Sequence, residues 1–208
     1  MEYLFNNFPT VARLFGEQLT LSAIVLAIAL LIAVPIGLAA TRIRWLRNPI
    51  LGVLGVIYTI PSLSLLVLLI PLLGLGAAPA MVALVAYAQL VLVRNLVVGL
   101  TGIDPWIIEA AKGMGMSGWQ RLWRVEFPLA LPLFLAGMRL ATISIIGIGT
   151  IAAYVGAGGL GTLLFEGVTT NHPSKILAGA VAVSILAISS NYLLWFLERR
   201  ARRAVFGD

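Results

Sequence analysis

The stretch "DPWIIEAAKGMGMSGWQRLWRVEFP", residues 104–128, decides how this chain is read. It holds six charged residues in 25 positions, whereas the 46 residues between Arg47 and Arg94 hold none. A polar, glycine-broken insert in so apolar a chain marks a place where the polypeptide leaves an apolar solvent. Composition names that solvent. With 61% hydrophobic and 11% charged residues and a mean hydropathy of +1.04, a chain of 208 residues has too little polar surface to cover a soluble globule. The chain belongs in a bilayer.

Working outward from the insert, the apolar runs divide into spans. Gln18 to Thr41 is 24 uncharged residues, enough at 1.5 Å per residue to cross a hydrocarbon core of about 30 Å. The charge-free run after Arg47 would be about 69 Å long as one helix, so it folds back on itself, with the turn at "GLGAAP", Gly74 to Pro79. Pro61 and Pro71 are expected to kink the second span, which favours a helix packed in a bundle. The predicted spans are residues 18–41, 49–73, 79–100, 129–155 and 176–197, within a single domain covering 1–208, with an outer loop at 156–175. Residues 1–17 carry Glu2 and Glu17 against Arg13, unlike the basic start of a cleaved signal peptide, so the N-terminus is expected to be retained.

Lys and Arg near span ends accumulate on the cytoplasmic side. Arg42, Arg44 and Arg47 follow span one. Arg94, Lys112, Arg121 and Arg124 run from the end of span three toward span four, and Arg199, Arg200, Arg202 and Arg203 follow span five. The opposite loops hold only Arg13 and Lys175. Eleven against two predicts an all-α membrane protein of five transmembrane helices, with the N-terminus outside, the C-terminus inside and the polar segment cytoplasmic. The net charge of +6 is therefore topological, and nucleic acid is not an expected partner.

Within the polar segment, Asp104-Pro105 reads as an N-cap followed by the first helical residue. The helix should fail across Gly113 to Gly118, and a second should start at Ser117, whose hydroxyl and Gln120 form a capping-box pattern. Pro128 is expected to limit it. Trp119, Leu122, Trp123 and Phe127 should share one face at the membrane interface. Spacing alone leaves two readings equal: an amphipathic anchor, or a docking surface whose small residues permit close backbone approach.

"EAAKGMG", Glu109 to Gly115, followed by "VEFP", Val125 to Pro128, resembles the EAA motif of the membrane subunits of bacterial ABC importers. That pattern is Glu-Ala-Ala, three residues, Gly, nine residues, then Ile-x-Leu-Pro; Val125 and Phe127 depart mildly from it. "YTIPSLSLLVLLIPLLGLG", "VRNLVVGLTGIDP" and "VGAGGLG" extend the similarity over most of the chain after residue 50, closest to the osmoprotectant (glycine betaine, carnitine, choline) subgroup. The resemblance implies a type I permease fold. It also implies that Glu109, Ala110, Ala111 and Gly115, with the surrounding Lys112, Gly113, Met114, Met116, Ser117 and Gly118, form the ATPase-coupling region seated in a groove of a separate ATPase subunit. The implied partners are a second permease subunit, identical or related, two ATPase subunits that bind ATP and Mg, an extracytoplasmic solute-binding protein, and membrane lipid.

Other chemistries fit poorly. There is no cysteine and one histidine, His172, so no metal site is expected. "GAGGLG", Gly156 to Gly161, matches the dinucleotide fingerprint formally, but an apolar helix precedes it and no acid lies about twenty residues on, so it reads as a flexible exit from span four. No Lys precedes Ser or Thr as a phosphate-binding loop requires, so energy must come from a partner and the chain is not itself an enzyme. A proton-coupled carrier would keep an acid or histidine inside a span. Arg139, in span four, is expected to pack or to snorkel toward headgroups. Candidate pathway residues are Tyr58, Tyr87, Gln89, Ser144, Tyr154 and Asn191, because an aromatic face attracts a quaternary ammonium ion. Two alternatives remain at this point: the same architecture importing an amino acid such as methionine, and a membrane scaffold without transport.

Overall fold

The computed structural model describes residues 2–207, which are helical with no strand among them. A short α1 (Glu2–Asn6) leads into α2 (Phe8–Arg42). Then come α3 (Arg44–Thr59), α4 (Ser62–Leu73) and α5 (Ala77–Thr101). The polar segment forms α6 (Pro105–Gly113) and α7 (Gly118–Arg121), and α7 runs through a π-helical turn at Leu122–Glu126 into α8 (Phe127–Ala152). The chain ends with α9 (Gly161–Thr169) and α10 (Pro173–Phe206). Among the described residues, four stretches are long and apolar enough to cross a membrane: α2, α5, the continuous Gly118–Val155 helix, and α10; the pair α3–α4 is a candidate fifth.

Helix α5 packs between α2 and α8, and α10 covers α8 together with α9. The close packing follows from small residues in rows. On α2, Val25, Ala29, Ala33, Gly37 and Ala40 recur at intervals of four, four, four and three and are all buried. On α8, Gly137, Ala141, Ile145, Gly149 and Ala152 do the same. Lipid tails are as apolar as leucine, so helices in a membrane associate by close van der Waals fit rather than by escape from water. The fit is tight: a Cβ added at Gly37 would lie 2.6 Å from Leu96, and one at Gly137 would lie 2.5 Å from Asn95.

The predicted second span is not one kinked helix. It breaks at Ile60–Pro61 and turns by 93° between α3 and α4. Proline removes an N–H and pushes the residue before it out of the helical region, and Ile60 is extended at φ −64°, ψ 129°. The carbonyl freed there is taken by the Tyr87 hydroxyl from α5, so the break is held by a side chain.

A second correction concerns Pro128, which does not end the helix begun at Ser117. The π turn lies where the proline ring would clash with the carbonyl four residues back, and the wider turn carries the helix past it. Nor is the exit from α8 loose. Gly76 N–H donates to the Val155 carbonyl at 2.8 Å, and Gly159 N–H donates to Glu17 Oε2 at 3.2 Å, which ties the glycine turn to α5 and α2.

Candidate functional site

The polar segment is built from its caps inward. Asp104 accepts from the backbone N–H of Trp106 at 2.9 Å, and Pro105 occupies the first turn, where its missing N–H leaves nothing unpaired. At the other end of α6, Gly115 N–H donates to Lys112 O at 2.9 Å and Met116 N–H to Ala111 O at 3.2 Å. This reverse-turn pair of bonds needs a left-handed residue just past the helix, and Gly115 supplies it at φ 76°. The glycine is there because the turn demands it. Next, Ser117 and Gln120 form a reciprocal box, with Gln120 N–H on Ser117 Oγ at 3.3 Å and Ser117 N–H on Gln120 Oε1 at 3.0 Å.

The result is a tip whose polar atoms are satisfied locally and whose surface is free. Glu109, Ala110, Lys112, Gly113, Met114, Gly115, Ser117 and Gly118 are exposed, Met116 is half-buried, and Ala111 alone is buried against the bundle. Trp106, Met114 and Trp119 stand out at 80%, 69% and 68% exposure. Glu109 pairs with Lys112 at 2.7 Å. The hydrogen bond from Lys112, and then its charge, hold the Glu109 carboxyl below the usual carboxylate range. Of the predicted shared face, Trp119, Trp123 and Phe127 form a run of ring contacts at 5.6 and 5.2 Å, while Leu122 turns away and is buried.

Beneath the tip sits an acid that spacing did not single out. Glu126 is buried, accepting from Arg42 Nη2 at 2.6 Å and Arg121 Nε at 2.8 Å. Two open cavities flank α6. One, of about 200 Å³, is lined in part by Thr41, Ile108 and Thr101; the other, of about 300 Å³, by Gly99, Ile107 and Leu133. Spacing gave no signal for Glu126, because its five-residue step from Arg121 does not stack on an α-helix and is brought together only by the π turn.

The six candidate pathway residues do not gather into one site. Tyr58 and Tyr87 form an edge-on pair at 5.9 Å. Gln89 donates to the Ala29 carbonyl at 3.2 Å, a helix-to-helix bond. Ser144 bonds back to Leu140 O at 3.1 Å, Tyr154 lies on Phe165 at 5.5 Å, and Asn191 is half-buried on α10. Arg139, expected to pack or snorkel, lies 3.1 Å from Glu198 of α10 without the alignment of a hydrogen bond. Among the described residues no group of three or more His, Cys, Asp or Glu could hold a metal ion.

Comparison with known proteins agrees with this architecture. Residues 33–203 match the family described as "Binding-protein-dependent transport system inner membrane component". The glycine betaine/carnitine/choline transport system permease protein OpuCB of Bacillus subtilis (strain 168) is 40% identical over 96% of this chain and 92% of its own. The osmoprotectant import permease protein OsmW of Salmonella typhimurium is 39% identical over 95% and 94%. Among solved structures, an inward-facing MetNI methionine ABC transporter aligns with a TM-score of 0.78 at 26% identity, covering 91% of this chain and 93% of that one. An amino acid ABC transporter crystallised with histidines shares the fold at a TM-score of 0.76 and 20% identity, over 94% and 98%. The chain belongs to the binding-protein-dependent transport system inner membrane component family, and is a multi-pass permease subunit of an ABC importer.

Proposed function

We propose that this subunit moves a small compatible solute, of the quaternary ammonium osmoprotectant class, into the cytoplasm by alternating access. The observation that carries the substrate class is full-length similarity at 39–40% identity to osmoprotectant permeases, against 26% for the methionine transporter of like fold. Two copies, or this chain with a related one, enclose the pathway. The outer apolar surfaces of α3 and α4, where only Leu66 is buried, fit a further helical or lipid neighbour.

In this reading the N-terminus is outside, and the tip from Glu109 to Gly118 faces the cytoplasm. It seats in an ATPase subunit, where ATP and Mg are bound, and closure of two such subunits moves it. The exposed, locally satisfied tip supports this role, because alanine and glycine let a partner's backbone approach without stripping hydrogen bonds from α6. Tyr58 offers an exposed aromatic face to a quaternary ammonium ion. Residues 165–175 contact the solute-binding protein.

The test is reconstitution with the ATPase subunit and the solute-binding protein in liposomes. Uptake of labelled glycine betaine, with none of labelled methionine, is expected. Uptake of methionine alone would assign the amino-acid class, and neither uptake nor ligand-stimulated hydrolysis would leave a scaffold.

A further inference from the structure

The coupling tip meets the bundle through little solid packing. Only Ala111 is buried along its ten residues, and α6 stands between two open cavities. The continuous helix from Gly118 carries a displacement of the tip into α8, whereas a direct link from this end to α2 has to be made by side chains, and one is present. Arg121, the last residue of α7, donates to Glu126 Oε1, and Arg42, in the last turn of α2, donates to the other oxygen. The side chains of Glu126 and Arg121 are 7% and 17% exposed, whereas Arg42 is 45% exposed and all three line the open cavity of about 200 Å³, so the Arg121 bond is the better shielded of the two. The π turn makes the join by stacking residues five apart, and it puts one carboxylate between α7 and a helix 84 positions earlier in sequence.

Resting on the coupling reading above, we infer that Glu126 is the positioning residue of the importer's power stroke: the Arg121–Glu126–Arg42 strut converts movement of the ATPase-docked tip into movement of α2, and so of the gate.

The experiment uses the whole importer in proteoliposomes, with labelled glycine betaine as probe. A parent carrying Met114→Cys reports docking by thiol cross-linking to the ATPase subunit. Glu126→Gln is expected to keep the cross-link and ATP hydrolysis while betaine moved per ATP falls about tenfold. Arg42→Met, at a half-exposed position, should give the same loss, and Arg42→Lys should retain most of the parent ratio. Glu126→Gln or Arg42→Met with an unchanged ratio and the cross-link intact overturns the strut. So does a loss of uptake that only tracks lost cross-linking, which would mark a merely structural bond. A parent that transports betaine without cross-linking overturns the docking reading itself, and the strut with it.

Discussion

At the scale of single residues, the polar segment is a set of local solutions to backbone bonding. Gly115 carries the turn past α6 in the left-handed region, where a side chain costs about 1–2 kcal/mol. Gly115→Ala should therefore loosen the end of α6 and speed amide exchange at Gly115 and Met116, while helices away from the tip keep their protection. Unchanged exchange there would mean the bond pair is not what stops α6.

Glu109 gives a pH-dependent test. Its folded pKa lies below the ordinary value of 4.5, chiefly through Lys112. The pair is thus intact above that value and is lost only as pH falls through the lower folded one. A carboxyl carbon titration should show a midpoint below 4.5 in the parent and a return toward it in Lys112→Met. Identical midpoints would show that Lys112 does not hold the carboxylate.

At the scale of elements, breaks matter more than spans. Hydropathy located the apolar stretches because a membrane requires long uncharged helices. It could not choose between a kink and a turn of 93° at Pro61, since that depends on Tyr87, 26 positions on, reaching the carbonyl of Ile60. Tyr87→Phe should leave that part-buried carbonyl without its donor and destabilise the α3–α4 corner by about 1 kcal/mol, read as a lower melting temperature in detergent. A melting temperature equal to the parent's would show that water or lipid headgroups serve the carbonyl as well.

Pro128 teaches the converse. As a local rule it predicted a helix end, yet a π turn carried the helix through, and that same turn created the Arg121–Glu126 contact. The caps at Asp104 and Ser117 were legible because both partners of each bond lie within three residues. Glu126 was not, because Arg42 lies 84 residues away and nothing in the spacing relates them.

At the scale of the molecule, rows of mostly small residues seat α2 and α8 against α5, while an under-packed tip continues into α8 and is tied to α2 by an ion pair. A tight bundle and a loosely seated tip form a lever only if the tip docks on the energy-supplying side. The chain has no cysteine, so one thiol can be placed at the tip without background. Introduce Met114→Cys, at the exposed apex, and treat intact cells and inside-out vesicles with a membrane-impermeant maleimide. The account predicts labelling in inside-out vesicles alone, suppressed when the ATPase subunit is bound. Labelling from the outside of intact cells would contradict it.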